Sequence, residues 1–174
     1  AGKTFTIPAS KSIGIYNGNT SGLVINAGAS VTGGGSVYLQ DSTVSLQNGT
    51  FDVETFTLRE ANYDLTLAAG TYASASVSLS AQNNSVHTLK FGAGSTTFTG
   101  NVMFTRGDGG TIVVGNNTYN PDLIFQKNVS ISISGGTFTW TRGNGTISLT
   151  GAGSGIQTLN FGGNSVEAIT LNDT

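Results

Sequence analysis

The chain has 174 residues, carries seven basic and nine acidic side chains for a net charge of −2, and contains no cysteine. Charge this sparse and scattered supplies no Lys/Arg cluster for nucleic-acid phosphates or for an anionic membrane. The missing thiols exclude disulfides and thiolate metal sites.

Twenty-six glycines stand against two prolines, with abundant Thr, Ser and Asn, a composition that predicts many short strands joined by tight turns. No window carries the apolar spacing of an amphipathic helix, and no apolar run reaches the length of a membrane span. Apolar residues make up 37% of the chain, enough for a narrow continuous core.

One eight-residue phrase organises the sequence: apolar, Ser/Thr, apolar, two loose positions, Gly, Thr, aromatic. Leu23–Ser30 (LVINAGAS) keeps its first half, and Val44–Phe51 (VSLQNGTF) and Leu65–Tyr72 (LTLAAGTY) are complete copies. Leu89–Phe98 (LKFGAGSTTF) carries two extra residues. Ile112–Tyr119 (IVVGNNTY) has Asn117 where Gly falls elsewhere, and Ile131–Phe138 (ISISGGTF) is complete again. The copies thus begin at Leu23, Val44, Leu65, Leu89, Ile112 and Ile131, at nearly even spacing. A longer repeat aligns Tyr63–Ser95 with Val129–Ser165.

A period near 22 made of strand residues and turn glycines predicts an all-β fold: a single parallel β-helix (β-solenoid) domain over residues 1–174, with about eight coils. Alternation sends Val44 and Leu46 to one face of a strand and Ser45 to the other. Gly28, Gly49, Gly70, Gly94, Asn117 and Gly136 are the expected corner positions, where a left-handed backbone is easiest for Gly and then for Asn. Phe51, Tyr72, Phe98, Tyr119 and Phe138 are expected to stack as an internal aromatic ladder, each pair adding about 0.5–1.5 kcal/mol beyond burial. A β-sandwich or jelly roll is the alternative, marked by hairpins at Gly49 and Gly70.

Reactive side chains are few. Asp52 and Glu54 share one strand face and could serve hydrolysis or calcium binding, but Phe51 and Val53 are the better core residues, which puts both acids in solvent. Arg59 and Glu60 read as a surface pair. His87 is the single histidine, and its counterpart in the longer repeat is Gln157, a generic polar position. The run Arg106–Gly110 (RGDGG) contains an Arg-Gly-Asp triplet and a faint echo of calcium-binding coils; it reads as a turn. Gly33–Gly35 also reads as a turn between coils. Trp140, two residues after Phe138, belongs inside the coil or at a corner; exposed, it could stack on a sugar ring. Thr137, Thr139 and Thr141 would then line the outer face, with partial echoes at Thr55/Thr57 and Thr97/Thr99, as Thr rows do in ice-binding proteins.

The segments GTFTWTRGNGTISLTGAGSGIQTLNFGGNSVEAITLNDT and TIVVGNNTYNPDLIF resemble repeat segments of large bacterial cell-surface and secreted proteins, the autotransporter passengers and filamentous adhesins. The resemblance runs from Val44 onward and implies a right-handed parallel β-helix that is mainly scaffold. It transfers no catalytic, cofactor or metal-binding residue. The opening AGKTF and the strand-like end ITLNDT have the look of a piece processed or excised from a longer chain. The expectation is therefore a structural or adhesive extracellular rod without enzymatic activity or cofactor. Its partners would be neighbouring coils or identical subunits stacked end to end, with glycans or a cell surface beyond, and neither nucleic acid nor membrane insertion. A carbohydrate-binding module, or a degenerate polysaccharide-active β-helix, is the second reading, and ice binding the third.

Overall fold

A computed structural model describes residues 2–16, 22–42, 44–47, 49–60, 65–81, 86–106, 111–114, 121–133, 137–141, 144–151, 156–163 and 168–171. Within them the chain is all strand and turn, with no helix, and every strand pairing is parallel. Parallel neighbours cannot be joined by hairpins. Gly49 and Gly70 accordingly sit at corners, and the sandwich alternative is excluded.

Each coil contributes three strand segments. Face one is built from β1 (Thr4–Thr6), the first halves of β4 (Ser30–Gln40), β6 (Thr50–Glu60) and β8 (Gly70–Ala81), then β10 (Gly94–Phe98), β13 (Pro121–Phe125), β16 (Thr146–Leu149) and β17 (Ala168–Leu171). Face two takes β2 (Ser12–Tyr16), the second halves of β4, β6 and β8, then β11 (Asn101–Arg106) and β14 (Val129–Ile133). These two faces form one bent sheet. Face three is a separate six-stranded sheet of β3 (Leu23–Asn26), β5 (Val44–Gln47), β7 (Leu65–Leu67), β9 (Val86–Phe91), β12 (Thr111–Val114) and β15 (Thr137–Trp140).

The result is a parallel β-solenoid of about five turns with partners about 24 residues apart, in which face one alone carries eight strands; the expected eight coils of roughly 22 residues are not confirmed. The octet and the coil differ because coil length varies along the chain. On face one, Ser30 pairs with Thr50 and Phe51 with Tyr72, whereas Tyr72 pairs with Phe98 and Phe98 with Phe125, a return several positions longer. The octet follows the coil while coils are short and then drifts out of phase. Ile131, the start of the last octet, lies on face two opposite Phe104, while its Phe138 lies on face three opposite Ile112. The longer repeat is therefore not a whole number of coils.

Alternation sets the core. Val37, Leu39, Phe56, Leu58, Val77 and Leu79 point inward from face two, and Phe51, Val53, Tyr72, Phe98, Leu123 and Phe125 from face one, all of them buried. Axial hydrogen bonds continue round the corners, from Thr50 N to Ala29 O (3.0 Å), Ala68 N to Val44 O (3.0 Å) and Gly92 N to Leu67 O (2.8 Å).

Candidate functional surface

Gly28, Gly49, Gly70 and Gly94 all sit where face three gives way to face one. Gly28, Gly70 and Gly94 have φ of 76°, 150° and 103°, values that L side chains avoid. Gly49 answers a need for room: a Cβ there would lie 2.3 Å from Ile25 Cγ2 and 2.5 Å from Ile25 O. Asn117 and Gly136 lie outside the described residues. The stretch Gly33–Gly35 is not a turn between coils but the bend inside β4 between faces one and two, where the register shifts.

Phe51, Tyr72 and Phe98 occupy one inward column, as do Phe125 and, at its two ends, Phe5 with Val31 and Leu149 with Leu171. Tyr72 and Phe98 stack at 5.7 Å and Phe98 and Phe125 at 5.5 Å, with planes 25° and 10° apart. The rung below Phe98 is therefore Phe125. Tyr119 lies outside the described residues, and Phe138 belongs to a second aromatic group on another face. There it meets Trp140 at 6.5 Å and Phe104 at 5.5 Å.

Trp140 is 5% exposed, held among Phe91, Phe104 and Phe161 at 6.4, 5.8 and 5.0 Å. A glycan contact through Trp140 is thereby corrected: its ring faces are covered by other rings. Tyr72 is the polar member of the ladder. Its hydroxyl donates to Ala68 O at 2.8 Å, and burial pushes its pKa far above the usual tyrosine value, so it stays a neutral donor.

Asp52 and Glu54 are exposed, while Phe51 and Val53 between and beside them are buried. The two acids border a shallow groove of about 380 Å³ at the bend between faces one and two, beside Gly33, Ala75 and Thr99. A second groove of about 480 Å³ runs along the other edge of face one, past Gly49, Gly70 and Ser95. Among the described residues no three His, Asp or Glu side chains come together as a metal site, and no helix is long and apolar enough to cross a membrane. Arg59 donates to the Tyr38 hydroxyl at 2.8 Å, and Tyr38 packs its ring 5.4 Å from exposed Tyr16. The His87 backbone pairs with Ile112. The side chains of Glu60, His87 and Arg106, and the residues 107–110, lie outside the described set.

The outer surface carries a hydroxyl rank on face one, whereas Thr137 and Thr139 of the expected row lie on face three. The Thr before the aromatic points outward at Thr50, Thr71 and Thr97, before Phe51, Tyr72 and Phe98. On face one Thr4 pairs with Ser30 and Ser30 with Thr50. Thr71, Thr97, Ile124, Ser148 and Thr170 continue the same rank. Thr50 and Thr71 adjoin because the residues after them, Phe51 and Tyr72, are partners. A hydroxyl stands at every rung but Ile124. A second rank, two residues on, begins Thr6, Thr32, Asp52, Ala73. Neighbouring hydroxyls are close enough to bond, Ser30 Oγ to Thr4 Oγ1 at 2.9 Å. The phrases GTF, GTY and TTF carried this rank in the sequence; only the phase of the coil assigns it to one face.

No protein-family model, curated protein or solved structure matches the chain. The β-solenoid architecture thus stands on the strand pairing, and the likeness to autotransporter and adhesin repeats on the sequence phrases.

Proposed function

We propose that the chain is a stiff, non-catalytic structural or adhesive element of a bacterial surface or secreted assembly, extended along its solenoid axis. Its coils wind right-handed, the hand parallel crossovers take. The observation that supports this reading is the uninterrupted inward column from Phe5 to Leu171. Coils stacked at about 4.8 Å with every backbone group bonded along the axis make a rod that resists bending. Among the described residues the outermost members of the column, Phe5 and Leu171, are 54% and 73% exposed. Strand edges with apolar ends are templates for further pairing. A head-to-tail contact between such ends does not close and so lengthens the rod; further coils of one chain do the same.

Sedimentation velocity with electron microscopy of the purified chain tests this. Particles one coil wide that lengthen with concentration are expected, and Leu171→Asp shortens them by placing a charge on the end rung. A single-solenoid particle with fast amide exchange in β1 and β17 assigns the axial neighbour to further coils. A single-solenoid particle whose end strands exchange slowly overturns the proposal, because such ends need no neighbour. The glycan-binding reading has lost the Trp140 ring it relied on.

A further inference from the structure

We propose that the outer surface of face one binds ice. Ice offers a rigid two-dimensional lattice of oxygens, and a protein holds such a lattice only with groups fixed at matching intervals in two directions. The backbone of face one supplies positions with that order, filled by hydroxyls along the first rank and at Thr6 and Thr32 of the second. Successive coils set one interval at about 4.8 Å, and alternate residues of a strand set the other at about 6.7 Å. The shorter interval lies close to the oxygen repeat along the short axis of hexagonal ice.

The side chains suit the role. Thr is β-branched and restricted at χ1, so the methyl and hydroxyl of Thr50, Thr71 and Thr97 are held in place by the backbone. The methyl orders the water beside it, and the hydroxyl bonds into it. The Tyr72, Phe98 and Phe125 rings beneath keep nearly one orientation, 25° and 10° apart, while Phe51 after Thr50 is turned 61° from Tyr72. Charge, which would hold its own hydration shell, is limited on this face to Asp52, to Glu54 at its edge and to Asp122, which accepts from Thr146 Oγ1 at 2.9 Å.

Hydroxyls also line face two, where Ser12, Ser36, Thr55 and Ser76 share one outward rank and Ser80, Thr105 and Ser132 another. Face one differs in that Thr carries most of its rank, at Thr4, Thr50, Thr71, Thr97 and Thr170. A protein or glycan partner calls for mixed shape, aromatic platforms or charge; a uniform rank of hydroxyls and methyls answers a crystal.

Thermal hysteresis and adsorption of the whole chain into a growing ice hemisphere test the proposal. Thr97→Tyr and Thr71→Tyr put a bulky ring in the middle of the rank, and Ser76→Tyr puts the same ring on face two. Circular dichroism melting identifies the variants that remain folded, and exposed Thr71 keeps the test open if Thr97→Tyr does not fold. Hysteresis in the chain and in Ser76→Tyr, lowered several-fold in the face-one variants, is the expected result. No hysteresis and no adsorption by the unmodified chain overturns the proposal. So does a loss as large in Ser76→Tyr as on face one, or no loss in any folded variant.

Discussion

The coils from Leu23 to Ala81 and those from Val86 to Leu171 share one plan but differ in length and in tightness. On face one the earlier coils carry Ser30 round to Thr50 and Phe51 to Tyr72, while the later ones take a longer path from Phe98 to Phe125 and from Leu123 to Ile147. In the earlier coils the inward residues Phe56, Leu58, Val77 and Leu79 are at most 1% exposed. In the later ones Phe98, Phe104, Phe125 and Ile147 are 0% exposed as well, and only in the last described coils do Leu149 and Leu159 become half-buried and Ile169 reach 47% exposure. At the corner between faces three and one, a Cβ on Gly49 would meet Ile25 Cγ2 at 2.3 Å, while on Gly92 the nearest atom is 3.4 Å away. The solenoid therefore fixes the rung and not the coil. Ladder pairing demands that strands stack, and added residues collect at corners, where they loosen the approach of one coil to the next. The bend between faces one and two is where tightness outlasts the lengthening: Gly100 there comes within 1.9 Å of Ser74 O at its Cβ position.

The largest expected effect sets the two aromatic groups, both within the later coils, against each other. Phe98 is 0% exposed between Tyr72 and Phe125. Phe98→Ala opens a cavity that rigid neighbouring rungs cannot close, at an expected cost of about 3–5 kcal/mol. Phe138, from the later coils, is only partly buried, so Phe138→Ala is expected to cost about half as much. Urea unfolding of both variants measures the difference. Equal losses would mean that a place in the face-one ladder does not make a ring harder to replace.

The same contrast explains what the sequence makes legible. Strand alternation and corner glycines are local, and Val44–Phe51 and Leu65–Tyr72 carry both without ambiguity, so the all-β solenoid and its ladder at Phe51, Tyr72 and Phe98 can be read from the chain. Coil count and phase depend on how many residues each corner absorbs, which no local pattern states. Phe138 therefore lies on a different face from the one its octet implies, and Phe125 joins the ladder with no octet before it. Trp140 is legible as an inward residue from its spacing to Phe138; its enclosure by Phe91 and Phe161 comes from coils distant in sequence. The outward Thr rank is visible residue by residue, but as a surface it exists only once the register is known.

A smaller effect is expected where a methyl is added at a corner. Gly49→Ala pushes against Ile25 and its carbonyl, which belong to a neighbouring rung, and is expected to cost about 1–3 kcal/mol through overpacking. Gly92→Ala meets the Ala68 and Ala69 backbone at ordinary contact distance, 3.4 and 3.5 Å. With fewer unfolded conformations to lose, Gly92→Ala is expected to gain about 0.4–1 kcal/mol. Opposite signs in thermal melting would show that short coils, and not the solenoid as such, require glycine at this corner.

The smallest effect probes the one polar group inside the ladder, at the boundary between the short and the long coils. Tyr72→Phe keeps the ring and removes the hydroxyl that bonds Ala68 O at 2.8 Å, leaving that carbonyl one partner fewer at an expected cost of about 1 kcal/mol near neutral pH. The pH dependence distinguishes this from a packing effect. Burial holds the folded Tyr72 pKa far above the unfolded value of about 10, so above that pH the unfolded chain releases a proton that the folded chain keeps. Unfolded molecules then bind fewer protons, and stability falls as pH rises, by up to about 1.4 kcal/mol per pH unit from this group. The contribution is fully present below pH of about 10. Tyr72→Phe removes this part of the alkaline loss, so the two proteins should converge in melting temperature as pH climbs and then cross. Parallel curves up to strongly alkaline pH would mean that the Tyr72 hydroxyl ionises as readily in the folded chain as in water, and that the ladder admits solvent where its coils begin to lengthen.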